Sequence, residues 1–131
     1  MGYRFEPKNH SEKIEVFGNT FEIDFGADEV AALIALSGDQ ETAEKKMYES
    51  NLASGMTIEE ASEILRGKMK INYESFFNQI TGDPKASEKC FNENTPITVL
   101  RDLYLFILDI HIKKSAASQG INRSQRRKKK K

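Results

Sequence analysis

Residues 57–82 read TIEEASEILRGKMKINYESFFNQITG. Thr57 followed three residues later by Glu60 is a capping box: the hydroxyl accepts from a backbone amide at the helix start, and the glutamate reaches back. From there Ala61, Ile64, Leu65, Met69, Tyr73, Phe76, Phe77 and Ile80 recur at three-to-four spacing and form one apolar stripe. Gly82 can stop the helix. A long amphipathic helix needs partners for its stripe, and the flanking sequence supplies them.

Downstream, Asp83 and Pro84 can open a short helix, because proline tolerates the first helical position. Thr95 and Pro96 start a last helix by the same logic, continued by Ile97, Leu100, Leu103, Tyr104, Ile107, Leu108 and Ile110. Leu105 and Phe106 make that helix apolar nearly all round, so it is either central to the core or exposes a face to a partner. Upstream, Val30, Leu33 and Ile34 predict a short helix that begins at Asp28 and ends near Gly38. Asp39 then caps a second, mostly polar helix through Ala43, Met47 and Leu52 to Gly55, expected at the surface.

Before Asp28 the period changes to two. Tyr3 and Phe5, then Ile14 and Val16, then Phe21, Ile23 and Phe25 alternate with polar neighbours, and Gly18 with Asn19 forms a turn dipeptide. This predicts a hairpin with one apolar face. A lone hairpin is unstable in water, so the face must pack on helices. The expected fold is mainly α with a small N-terminal β-hairpin (α+β), a helical bundle packed on the hairpin over residues 1–114.

The chain has 131 residues, enough for one domain with one core. Its formal net charge of zero hides an asymmetry. Residues 1–114 hold 13 basic and 20 acidic residues, 13 − 20 = −7, and residues 115–131 hold seven basic residues and no acidic one. That C-terminal segment, SAASQGINRSQRRKKKK, has little to bury and reads as a disordered basic tail. Arg123, Arg126, Arg127, Lys128, Lys129, Lys130 and Lys131 form a candidate electrostatic site, able to attract nucleic acid weakly and without sequence preference. No aromatic residue interleaves them to stack on bases.

Catalytic chemistry is not signalled. His10, His111 and the single cysteine, Cys90, stand at no metal-ligand spacing, and the phosphate-binding glycine patterns and the nucleophile elbow are absent. Glu59, Glu60 and Glu63 fall in the first turns of a helix, where the dipole and water favour them. Cys90 reads as a half-buried helix residue and His111 as a helix-end residue. Catalytic residues, metal ligands and cofactors are all expected to be none. One cysteine fits a reducing compartment. Residues 1–10 lack a secretory apolar run, and residues 103–108, the most apolar stretch, fall far short of the ~20 residues of a membrane span. A soluble intracellular protein without a membrane partner is expected.

The order of parts resembles a known family. Residues 14–23, IEVFGNTFEI, form the hairpin; residues 73–83, YESFFNQITGD, and 86–91, ASEKCF, follow the helices. This is similar to the segment of an aromatic pair, glycine, small residue, Glu-Lys and aromatic in tail assembly chaperones of long-tailed, siphovirus-like phages and prophages of Gram-positive bacteria. The apolar last helix and residues 122–127, NRSQRR, extend the likeness over most of the chain. Residues 83–85, DPK, depart from the plainer Gly-Glu-Gly run of relatives.

The resemblance implies a role, not a reaction. Such chaperones bind the phage tape measure protein, keep it soluble and recruit major tail tube protein subunits. They act in the host cytoplasm and are absent from the mature virion; self-association is a further partnership to consider. Phe76, Phe77, Tyr104 and Phe106 are the candidate partner-binding residues, each either core or partner surface. Relatives often have a longer product made by programmed frameshifting, and the terminal lysines fit an adenine-rich slippery run. The alternative expectation is a nucleic-acid-associated regulator or small phage structural protein acting through the basic tail.

Overall fold

A computed structural model describes the backbone of residues 10–129 and the side chains of residues 10–114. Tyr3 and Phe5, expected as strand, lie outside the described residues, as do Lys130 and Lys131. The element order is β1 (Ser11–Val16), β2 (Asn19–Asp24), α1 (Asp28–Ala53), α2 (Ile58–Thr81), α3 (Ala86–Cys90) and α4 (Ile97–Lys129). The expected architecture is observed: a mainly helical protein with an antiparallel two-stranded hairpin packed on its helices.

The hairpin register pairs Ile14 with Phe21, Glu12 with Ile23 and Val16 with Asn19. Ile14, Val16, Phe21 and Ile23 therefore share the buried face. The turn residues are Phe17 and Gly18, both at positive φ (49° and 80°), and not Gly18 with Asn19. Asn19 belongs to β2, where its side-chain amide donates to the Lys89 carbonyl at 3.4 Å and ties the hairpin to α3. Phe17 thus occupies a left-handed conformation that a bulky residue rarely adopts.

Two expected helices are one. α1 runs unbroken from Asp28 to Ala53, through Gly38 and Asp39. A glycine inside a helix costs ~1 kcal/mol against alanine but does not end it without a capping geometry. Here α1 packs along α2. Ser37, beside the expected break, donates to the Ile34 carbonyl at 2.6 Å and shares a 2.8 Å hydrogen bond with the Tyr104 hydroxyl. The positive φ expected of a stop appears instead at Gly55, after the helix.

α2 begins as its sequence predicts: the Thr57 hydroxyl accepts from the Glu60 amide at 3.2 Å. It ends at Gly82 in the left-handed conformation with φ of 70°. Its C-terminal half supplies Tyr73, Phe76, Phe77 and Ile80 to the core. Its N-terminal half buries only Ala61, and Ile64 stays 43% exposed. α4 adds Leu100, Tyr104 and Ile107. Its backbone is helical through Lys129, past the point where a disordered tail is expected. Alanine, glutamine, arginine and lysine in residues 115–129 are compatible with a helix that has already nucleated.

Candidate functional site

The segment from residue 73 to residue 91 is built as a folding device. Phe77 meets Phe21 edge-on at 5.2 Å between ring centroids and lies 5.9 Å from Phe91. Phe76 and Tyr73 sit 5.2 and 5.3 Å from the Tyr104 ring. Beyond Gly82 the chain turns back, and the side-chain oxygen of Asn78 accepts from the Ser87 amide at 2.7 Å, fixing α3 against α2. Asp83 accepts from the Lys85 amide at 2.9 Å and pairs with Lys89 at 2.6 Å. The Lys89 bond, then the Lys85 amide, hold the Asp83 carboxyl below its usual range. Residues 83–85, the departure from the family-like pattern, therefore form a closed turn.

Three of the four candidate partner-binding residues belong to this interior. Phe76, Phe77 and Tyr104 are buried and make the ring contacts that join α2, α4 and the hairpin. Removing them would open the core, so they offer no surface to a partner. Phe106 is different: it is 49% exposed. On the same outward side of α4, Leu105 and Ile112 are also exposed, seven residues apart and thus on one stripe, with Asp109 between them. Phe106 stands about 100° round the helix from Leu105, and Asp102, Asp109 and Lys113 lie between them, with Lys113 paired to Asp109 at 2.9 Å. Of the three, Phe106 is expected from the sequence as a partner-binding residue, Leu105 only as part of a helix apolar nearly all round, and Ile112 not at all. Near-uniform apolarity along residues 103–108 hides which side faces inward.

The other candidates are structural or fall outside the described side chains. Cys90 is half-buried at the end of α3; its thiol donates to the Val16 carbonyl at 3.6 Å, and burial raises its pKa. His111 lies in the middle of α4, not at its end, with its ring 6.5 Å from that of Phe25. His10 is exposed before β1. The seven basic residues of the tail lie outside the described side chains. Among the described residues, no group of three or more His, Cys, Asp or Glu could hold a metal, and no helix is long and apolar enough to cross a membrane.

A second polar feature escaped the sequence reading. The helix expected to be a solvated surface buries Glu44, which is 6% exposed. Asn72 of α2 donates to its Oε1 at 2.6 Å. The α1–α2 seam therefore contains Ser37, Glu44 and Asn72 where an apolar stripe would otherwise lie. A buried glutamate seven residues from a buried serine gives no apolar period to detect.

No protein family, curated protein or solved structure matches this chain.

Proposed function

We propose that this protein is a non-enzymatic binding protein, a phage tail assembly chaperone that covers the helical tape measure protein, keeps it soluble and recruits tail tube subunits. The observation that carries the reading is the set of apolar side chains exposed on the outward side of α4, Leu105, Phe106 and Ile112, on a helix whose opposite side is core. A long chain with apolar stripes aggregates unless covered. An exposed helix face of this kind can cover it by helix-to-helix packing, with aromatic and aliphatic anchors supplying most of the affinity. The family resemblance of residues 14–23 and 73–91 supports the identity of the partner. On this reading the protein works in the host cytoplasm and leaves before the virion is complete.

The experiment is co-expression with a tape measure protein, followed by pull-down at low and high salt. The expected result is a soluble partner that stays bound in high salt, because apolar contacts are not screened. Deleting residues 122–131 leaves that binding largely intact.

A second reading rests on the seven positive charges within residues 123–131. It makes the protein a nucleic-acid-associated regulator or a small phage structural protein. It predicts nucleic-acid binding that falls steeply with salt and disappears on the same deletion. Partner capture that fails while salt-sensitive nucleic-acid binding persists would replace the first reading with this one.

A further inference from the structure

The polar seam between α1 and α2 opens into a cleft of about 230 Å³. Glu41, Glu44 and Tyr48 of α1 line it, opposite Met69 and Tyr73 of α2. Two of these polar side chains are more than nine-tenths buried: Glu44 is 6% exposed and Tyr73 is 7% exposed. Neither is fully satisfied by the fold. Glu44 accepts one hydrogen bond, at Oε1, and the Tyr73 hydroxyl makes none among the described residues. Among the described residues no sealed side-chain oxygen lacks a partner, so both free oxygens reach accessible space, and Glu44 and Tyr73 both line the cleft. Neither Glu41 nor Glu44 forms an ion pair among the described residues.

The field inside the cleft is negative. Burial, then the charges of Glu41 and Glu44, push the Tyr73 hydroxyl up to about 12, and Arg101 offsets only part of this. Lys45 and Arg101 also line the cleft; like Glu41 they are exposed, where water screens them, which leaves the Glu44 carboxylate as the buried charge. A buried carboxylate lacking a cation is costly, and its natural complement is a donor with positive charge.

We propose that this cleft receives an ammonium or guanidinium group carried on an unbranched aliphatic stem. The head hydrogen-bonds the free oxygen of Glu44 and the Tyr73 hydroxyl. The Tyr48 and Tyr73 rings favour a cation near their faces, and Leu65 and Met69 cover the stem. The volume suits one basic side chain or a small amine, below the ~300–1,000 Å³ of drug-sized sites.

The chain itself contains this chemistry in its basic tail. α4 is unbroken from Ile97 to Lys129. Its C-terminal end therefore lies about 40 Å along the axis from Arg101, at 1.5 Å per residue. A tail that fills the cleft accordingly comes from a second copy. A free amine is the other source of the same group. The inference does not depend on the proposed partner of α4.

The test uses the full chain and agmatine, a guanidinium on a four-carbon stem bearing an amine. Titration followed by backbone NMR is expected to give saturable shifts at Glu44, Met69 and Tyr73. Glu44→Gln is expected to weaken binding at least tenfold. Tyr73→Phe removes a hydroxyl that holds nothing in the fold, so it keeps the structure and weakens binding several-fold. Light scattering on the same samples separates the sources. A mass of two 14.9 kDa copies that halves as agmatine saturates assigns the site to a neighbour's tail. Saturable binding at unchanged mass assigns it to a free amine. No saturable shift, or equal affinity in wild type and both variants, overturns the proposal.

Discussion

The two sides of α2 are built by opposite rules. Towards the hairpin and α4 it presents Phe76, Phe77 and Ile80 to an interior of rings and aliphatic side chains. Towards α1 it presents Asn72 to a buried carboxylate, beside a cleft lined by Glu41, Lys45 and Arg101. The first side gains stability from apolar area removed from water, at roughly 25 cal/mol per Å². The second gains little net stability, because each buried polar group must first recover its lost hydration. Apolar contacts therefore hold the fold, while polar contacts hold α1 in one register on it. The Phe-lined side is the scaffold, and the polar seam selects one arrangement of α1.

Substitutions on the two sides should differ in size. Phe77→Ala leaves a cavity among Phe21, Phe91 and Ile80 and is expected to cost ~3–5 kcal/mol, enough to unfold much of a marginally stable domain. Denaturant unfolding measures it. A loss below ~1 kcal/mol would mean that the ring cluster is not the scaffold.

Asn72→Ala removes the only hydrogen-bond donor to the Glu44 carboxylate among the described residues. The expected cost is ~1–3 kcal/mol, the penalty of a buried acceptor left without a partner. Replacing both residues with apolar groups, Glu44→Leu with Asn72→Leu, should recover much of that loss. If the double variant is worse than the single, the seam contributes more than position.

Titration sharpens the contrast further. The Tyr73 pKa is raised from 10.0 to about 12 by burial and then by Glu41 and Glu44, and that of Tyr104 is also raised, mainly by burial. A raised folded-state value means that the unfolded chain loses its proton first. The contribution to stability is thus complete below pH 10 and is lost as pH rises from about 10 to about 12. Ultraviolet titration should show tyrosinate formation delayed in the folded protein and coupled to loosening of the α1–α2 seam. Uniform titration of all four tyrosines near 10 would contradict the burial of these two.

The smallest expected change is a gain. Gly38 lies inside α1 with nothing within 4 Å of where a Cβ would stand. Gly38→Ala should therefore stabilise the protein by ~0.5–1 kcal/mol, seen as a higher midpoint of thermal unfolding. A loss would mean that α1 needs a glycine between Ser37 and Asp39.

That break shows where sequence and structure part. Alternation in the strands, the capping box at Thr57 and the stop at Gly82 are local signals, and each appears where its residues predict. Gly38 followed by Asp39 is an equally good local signal, but packing along α2 overrides it. Asn19, expected in the turn, likewise lies in β2, where its amide donates to the Lys89 carbonyl across 70 residues. The candidate site was legible only in part for the same reason. Phe76, Phe77, Tyr104 and Phe106 are alike as apolar helix residues, and only the placement of α4 separates three core rings from one exposed ring. Glu44 gave no signal because a polar seam has no apolar period, and Tyr73 was legible only as part of the apolar stripe of α2.

On the proposed function, binding resides on the outward side of α4 and is separable from the scaffold. The most direct measurement pairs Leu105→Asp with Phe106→Asp and compares unfolding stability with capture of a co-expressed tape measure protein in high salt. Both positions are about half exposed, so stability is expected to change by less than ~1 kcal/mol while capture is lost. Full capture by a stably folded double variant would contradict the claim and move the partner surface elsewhere on the molecule.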